Sequence, residues 1–169
     1  MACGRGRFSL PLQFAGQANR RGKGAIKLLR GVSFEESNAK NVFCHLSTAI
    51  DILPYDWYID DVDLNYFYFR PGKYSGKEFN DALNSISELS FARIRRYPVA
   101  AQVDCIDEYD DFAKSDCDLM MLFYDGGFYE VYAKKEKTIS GIMDFCLRSG
   151  FEKVEYIRDF DDPRSYMHF

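Results

Sequence analysis

The stretch from Cys117 to Lys135, CDLMMLFYDGGFYEVYAKK, constrains the fold more than any other part of this chain. Two runs of strand-forming residues flank Asp125-Gly126-Gly127. Glycine accepts the positive φ angles of a tight reversal, and Asp-Gly between apolar runs is a strong hairpin signal. The first arm is apolar on both alternations. Leu119, Met121 and Phe123 face one way, and Met120, Leu122 and Tyr124 the other. A strand with two apolar faces belongs in the middle of a sheet covered on both sides. The second arm sets Tyr129, Val131 and Ala133 against Phe128, Glu130 and Tyr132, the pattern of a strand nearer solvent.

Elements on either side follow from periodicity and caps. Arg30 to Glu35 alternates as a first strand, and Asn38 caps a helix expected over about 38–51, with Val42, Phe43, Leu46, Ala49 and Ile50 along one face. Pro54 closes it. Asp56–Ile59 and Leu64–Phe69 read as two short strands joined through Asp60–Asp63, and Arg70-Pro71-Gly72 ends the second. Ser75 and Glu78 have capping-box spacing for a helix that buries Phe79, Ala82, Leu83 and Ile86. Phe91–Val99 alternates as a strand with one wet, basic face, stopped by Pro98. Asp107 is placed to cap a short helix through Ala113. Thr138 is placed to cap a longer one that turns Ile139, Ile142, Met143, Cys146 and Leu147 inward and ends at Gly150. Lys153–Ile157 is a last strand, and a loose acidic tail is expected from Asp159. Hairpins interleaved with helices define an α+β fold: a single domain over 29–169, a mostly antiparallel sheet with three main helices packed on it.

At 169 residues and 47% hydrophobic content the chain can bury a sizeable core. Its longest purely apolar run, Leu119–Tyr124, is far short of the roughly 20 residues that cross a bilayer, so no membrane segment is expected. Five widely spaced cysteines (Cys3, Cys44, Cys105, Cys117 and Cys146), an odd number without a CxxC pair, point to a reducing, cytoplasmic setting. Charge divides the chain. Residues 1–30 hold seven basic groups and no acid, which leaves 31–169 with 15 basic and all 26 acidic groups, a formal −11. Such a body repels phosphate backbones, so nucleic-acid binding is not expected of the ordered domain and rests on the basic arm alone. Met1–Leu28 reads as a disordered basic arm or a non-native extension; Arg21-Gly22-Lys23-Gly24 is what a purine-rich ribosome-binding site yields when translated, with Leu28 or Leu29 at a UUG start.

Three clusters carry candidate chemistry, each with a plainer competing role. Arg93, Arg95 and Arg96, with Tyr97 and the nearby Arg70, form a basic stripe suited to a phosphate or an acidic partner. The plainer role is pairing with the chain's own surplus carboxylates. Asp104 to Asp118 carries seven acids, among which Asp107, Asp110 and Asp111 are the candidate divalent-metal ligands. Acids at a helix start are equally favoured by the helix dipole. Asp159, Asp161, Asp162 and Arg164 make a weaker cluster that would matter if it met the first. His45 and His168, the only histidines, support neither a multi-histidine metal site nor a catalytic triad, and glycine-rich phosphate loops are absent, so no cofactor is expected.

The segments RGVSFE (30–35), YDWYI (55–59), RRYP (95–98), SDCDLM (115–120) and GFEKVEYIRD (150–159) resemble an uncharacterised family of spore-forming Gram-positive bacteria, known only as a domain of unknown function, over about residues 30–162. The resemblance implies a bacterial source and a start near Leu28, from which residues 1–27 depart. It implies no activity. The function read from the residues is therefore a non-catalytic protein-binding or regulatory module, immunity-like in profile, acting on a partner protein of basic character. The alternative of another class is a divalent-metal hydrolase, phosphoesterase-like, using the 104–118 carboxylates.

Overall fold

In the computed structural model, residues 28–60, 62, 70–86, 89–159, 162 and 166–167 are described. They form one antiparallel sheet of seven strands: β1 (Leu29–Glu35), β2 (Tyr55–Asp60), β3 (Gly72–Ser75), β4 (Ala92–Pro98), β5 (Leu119–Tyr124), β6 (Phe128–Ala133) and β7 (Glu152–Arg158). Across the sheet they run β3-β2-β4-β5-β6-β1-β7. Four α-helices accompany them: α1 (Ala39–Phe43), α2 (Gly76–Leu83), α3 (Tyr109–Lys114) and α4 (Glu136–Ser149). The α+β architecture is the one expected, with β5 at the middle of the strand order.

Alternation along β5 builds two cores. Leu119, Met121 and Phe123 join Val32, Phe34, Trp57, Ile59, Ile94, Tyr129 and Val131 in the main core, beneath α1, α2 and α4. Met120 and Leu122 join Tyr97, Tyr132, Ile106, Phe112 and Met167 in a smaller core beneath α3 and the segment that leads to it. Aromatic rings fill the main core in contact pairs. Trp57 stacks on Phe79 at 4.1 Å between centroids, and Tyr129 stacks between Phe34 at 4.8 Å and Phe123 at 4.3 Å. Each such pair adds about 0.5–1.5 kcal/mol beyond the area it buries.

Several local expectations change. The predicted strand over 64–69 lies outside the described residues; the two strands that pair with β2 are β4 and the unexpected Gly72–Ser75, the latter in register Asp56↔Ser75 to Ile59↔Gly72. The single helix expected over 38–51 is broken: α1 ends at Phe43, and a 3₁₀ turn follows at Leu46–Thr48. There the Thr48 hydroxyl donates to the His45 carbonyl, so a short polar side chain competes for a helix acceptor. The apolar spacing still holds, because Val42, Phe43, Leu46 and Ile50 are all buried. Helix α4 starts after Lys135, not at Thr138, and Leu147 is 59% exposed while Phe145 is buried and meets Phe151 edge-on at 5.5 Å. Glu108, not Asp107, is the residue before α3. Strand β6 is buried on both faces, Glu130 included, because the smaller core covers the side that the alternation assigned to solvent.

Other features stand as read. The capping box closes in both directions, with the Glu78 amide donating to Ser75 Oγ at 3.3 Å and the Ser75 amide to Glu78 Oε2 at 2.8 Å. Gly150 ends α4 with φ 74°. Between β5 and β6 the connection has three residues, Asp125-Gly126-Gly127, with φ 86° and 81° at the two glycines. They differ in surroundings: a Cβ on Gly126 would meet nothing within 4 Å, whereas one on Gly127 would lie 2.4 Å from the Glu36 carbonyl oxygen. Gly126→Ala is therefore expected to cost about 1–2 kcal/mol, the penalty of left-handed backbone alone. Gly127→Ala should cost clearly more, because the backbone after β1 must move as well. Equilibrium urea unfolding of the two variants checks this, and equal costs would refute the steric account.

Candidate functional site

The basic stripe of β4 lies in the interior. The strand is flanked by β2 and β5, and the expected wet face does not exist: Arg95 is 7% and Arg96 3% exposed, and Tyr97 is fully buried. The overturning element is the 99–118 segment, which folds back over this face of the sheet and supplies Ile106, Phe112 and Cys117 to the smaller core. A charge cannot be taken out of water alone, and each arginine has its compensation. Arg95 Nε donates to Asp60 Oδ2 at 2.6 Å, and its Nη1 to the Asp104 carbonyl at 2.7 Å and the Tyr97 hydroxyl at 3.1 Å. Arg93, on the same face, lies 3.6 Å from the Asp60 carboxylate and donates to the Ile106 and Met167 carbonyls. Arg96 points to the opposite face and grips Asp118 with both fork positions, Nε to Oδ1 at 2.7 Å and Nη2 to Oδ2 at 3.1 Å. Its guanidinium also lies over the Tyr55 ring, 4.2 Å from the centroid.

Burial shapes the titration of the groups around them. It pulls the Arg95 guanidinium down, yet the Asp60 hydrogen bond and charge together hold it above its ordinary value. Burial pushes the Tyr97 phenol and the Cys117 thiol each up to about 12. Both groups stay protonated at neutral pH. Cys117 donates to the Leu119 carbonyl and has none of the thiolate character of a nucleophile.

The acids expected to hold a metal are placed as follows. Asp111 accepts from the backbone amides of Asp107 and Glu108, at 3.2 and 3.0 Å, and so closes the first turn of α3. Asp110 is exposed and reaches Lys114 at 4.0 Å. Asp107 is exposed, with its carboxylate 3.6 Å from the Cys105 sulfur. Among the described residues no group of three or more His, Cys, Asp or Glu side chains converges as a metal ion would require. His45 is exposed beyond the end of α1.

The expected loose tail is instead docked where residues are described. Arg30 of β1 pairs with Asp159 at 2.7 Å and with Asp162 at 3.2 Å, and stacks on the Tyr109 ring at 3.9 Å. Tyr166 bridges to Glu108, the Met167 amide donates to the Asp107 carbonyl at 2.8 Å, and Met167 is fully buried. The two acidic segments thus meet, through backbone and through Arg30; Asp161, Arg164 and His168 lie outside the described residues. Sequence reasoning missed Arg30 and Asp60 as partners, because their carboxylates and guanidinium are 129 and 35 residues from what they bind.

Residues 29–168 match the model of a family described as "Protein of unknown function (DUF2691)". The chain belongs to this family. It is also similar to a Bacillus subtilis (strain 168) protein described as "Uncharacterized protein YncE", 27% identical over 150 residues, which span 80% of this chain and 96% of that protein. No solved structure matches. The expected resemblance, to an uncharacterised family of Gram-positive bacteria, is thereby met, and its span reaches a few residues further at the C-terminus than the segments suggested. Among the described residues of this DUF2691 member, no helix is long and apolar enough to cross a membrane.

The Arg96–Asp118 fork joins β4 to the residue just before β5, and removing either half strands a buried charge. Asp118→Ala is expected to cost about 3–5 kcal/mol, while Arg96→Met combined with Asp118→Leu should cost less than either single change. Guanidinium unfolding of the four-member cycle measures the coupling, and simple additivity would refute it.

Proposed function

We propose that this DUF2691 member is a non-catalytic protein-binding or regulatory module, immunity-like in profile, whose acidic segment over 104–118 engages a basic surface on a partner protein. The observation that carries the reading is the unequal fate of opposite charges on this face. Arg93, Arg95 and their carboxylate Asp60 are consumed within the fold, whereas Asp107, Glu108, Asp110 and Asp116 remain exposed above them. Tyr166, 58% exposed, adds an aromatic surface beside Glu108. A concentration of like charge of this kind steers and orients an oppositely charged partner. In this reading Arg93, Arg95, Arg96 and Tyr97 are the support that holds the acidic segment in place, not the binding surface itself. A cytoplasmic setting accords with the four described cysteines, all of which are free thiols.

The divalent-metal hydrolase built on Asp107, Asp110 and Asp111 competes less well, because Asp111 Oδ2 is already engaged by two amides and no three acidic side chains converge as metal ligands among the described residues. Affinity capture with the full chain from native extract tests the two readings together with a metal titration. One basic partner is expected at stoichiometric amount, released by raised salt, and lost with the Asp107→Lys/Glu108→Lys/Asp110→Lys variant while the circular dichroism spectrum is unchanged. A partner retained by that variant, or none captured, refutes the proposal. Saturating Mg²⁺, Mn²⁺ or Ca²⁺ should leave Tm unmoved; a filled site at 100 times its Kd would add about 2.7 kcal/mol and favour the hydrolase.

A further inference from the structure

The two most exposed large hydrophobic side chains among the described residues, Leu53 at 67% and Val99 at 65%, lie at one corner of the sheet. Leu53-Pro54 leads into β2 and Val99 follows β4, and Tyr55 and Pro98 face each other where the two strands pair. Pro54, Pro98 and Ala100 are exposed as well, so both loops present apolar side chains to solvent. Single exposed apolar residues are ordinary, whereas a contiguous group marks a contact surface. We propose that this corner is where two copies of the chain associate around a twofold axis.

The corner is held rigidly, and against local backbone preference. The Ala101 amide donates to the Pro98 carbonyl at 3.1 Å and closes a turn with Val99 at its tip. Ala100 takes the third position of that turn with φ 65°, a left-handed backbone that glycine adopts freely and alanine only under strain. Its amide donates to Asp56 Oδ2 at 3.3 Å, and Lys73 pairs with the same carboxylate at 2.8 Å. On the other side, α2 abuts the Leu53 loop: a Cβ on Gly76 would lie 2.3 Å from the Leu53 carbonyl oxygen. Backbone strain that the surroundings hold in place accumulates at functional surfaces. A turn fixed in this way loses little freedom when a partner covers it.

Charge selects the occupant. Residues 31–169 carry a formal −11, so two copies repel each other across their acidic surfaces, and a basic partner is drawn to those surfaces instead. At this corner the charges balance. Asp56 is neutralised by Lys73, and Glu78 is spent in the capping box. Asp51, two residues before Leu53, and Lys77, directly after Gly76, are exposed, and neither has an ion-pair partner among the described residues. A twofold contact is self-complementary, because each copy presents the same groups in reverse. Leu53 and Val99 of each copy then cover those of the other, while Asp51 of each meets Lys77 of the other. So small a surface lies at the low end of specific interfaces, below about 1,200 Å², which makes the dimer weak and concentration-dependent. This inference uses a different surface from the protein-binding proposal and stands or falls separately.

Sedimentation velocity of the full chain, from micromolar to near-millimolar concentration, tests it. A reversible monomer–dimer equilibrium is expected. Leu53→Asp/Val99→Asp should be monomeric throughout, with an unchanged circular dichroism spectrum because both side chains already lie in water. Lys77→Asp alone should weaken the dimer by about tenfold or more, and Asp51→Lys/Lys77→Asp should restore it, because the pairs re-form with reversed sign. The Asp107→Lys/Glu108→Lys/Asp110→Lys variant should dimerise as the parent chain does. A parent chain that stays monomeric, a dimer that persists in Leu53→Asp/Val99→Asp, a charge swap that restores nothing, or a dimer lost with the acidic-segment variant would each overturn the proposal.

Discussion

The fold depends on charge compensation along β4. This strand carries three arginines within four residues, Arg93, Arg95 and Arg96, yet is hydrogen-bonded on both edges and covered on both faces. An unpaired buried guanidinium would cost several kcal/mol, a large part of the 5–15 kcal/mol that holds a domain together. The carboxylates that prevent this come from its two neighbours: Asp60 from the end of β2 on one face, and Asp118 from the entry to β5 on the other. The ion pairs therefore fix the order β2-β4-β5 as well as neutralising charge. Arginine suits the task because its planar fork can hold a carboxylate with two bonds while its face lies on an aromatic ring, as Arg96 does between Asp118 and Tyr55.

A second consequence concerns the surface. With its arginines drawn inward, the sheet's smaller-core side presents mainly the 99–118 segment to solvent, and that segment is rich in acids. The acids nearest the backbone are spent on structure: Asp111 on the first amides of α3, Asp104 on the Asp116 amide. Those left exposed give the face its sign. The chain's modest net charge of −4 combines the seven basic groups of residues 1–30 with a formal −11 over residues 31–169.

Much of the fold was legible because it rests on local rules. The two-faced apolar run of β5, the Ser75–Glu78 capping box, Gly150 at the end of α4 and the glycines after Asp125 all act within a few residues. The candidate site was less so. Arg95 and Arg96 were read as a possible binding stripe or as ion-paired with the chain's own acids, and the second role is the one observed, but the partners Asp60 and Asp118 were not identified. The edge strand β3 was missed because Gly72–Ser75 is short, largely exposed and adjoins a strong helix signal. Leu147 was assigned inward on spacing alone, whereas the buried arc of α4 is set by what it packs on, and Phe145 reaches Phe151 instead.

By itself the sequence determined the fold class, the central position of β5 with its two apolar faces, and the caps at Asn38, Ser75 and Gly150, because side-chain alternation and backbone capping are properties of neighbouring residues. Only the tertiary structure decided that both faces of β4 are covered, which carboxylate meets which arginine, and that the C-terminal acids dock on Arg30. Those outcomes require segments up to 132 residues apart to meet, and the energy of a buried charge depends on partners that no local pattern encodes.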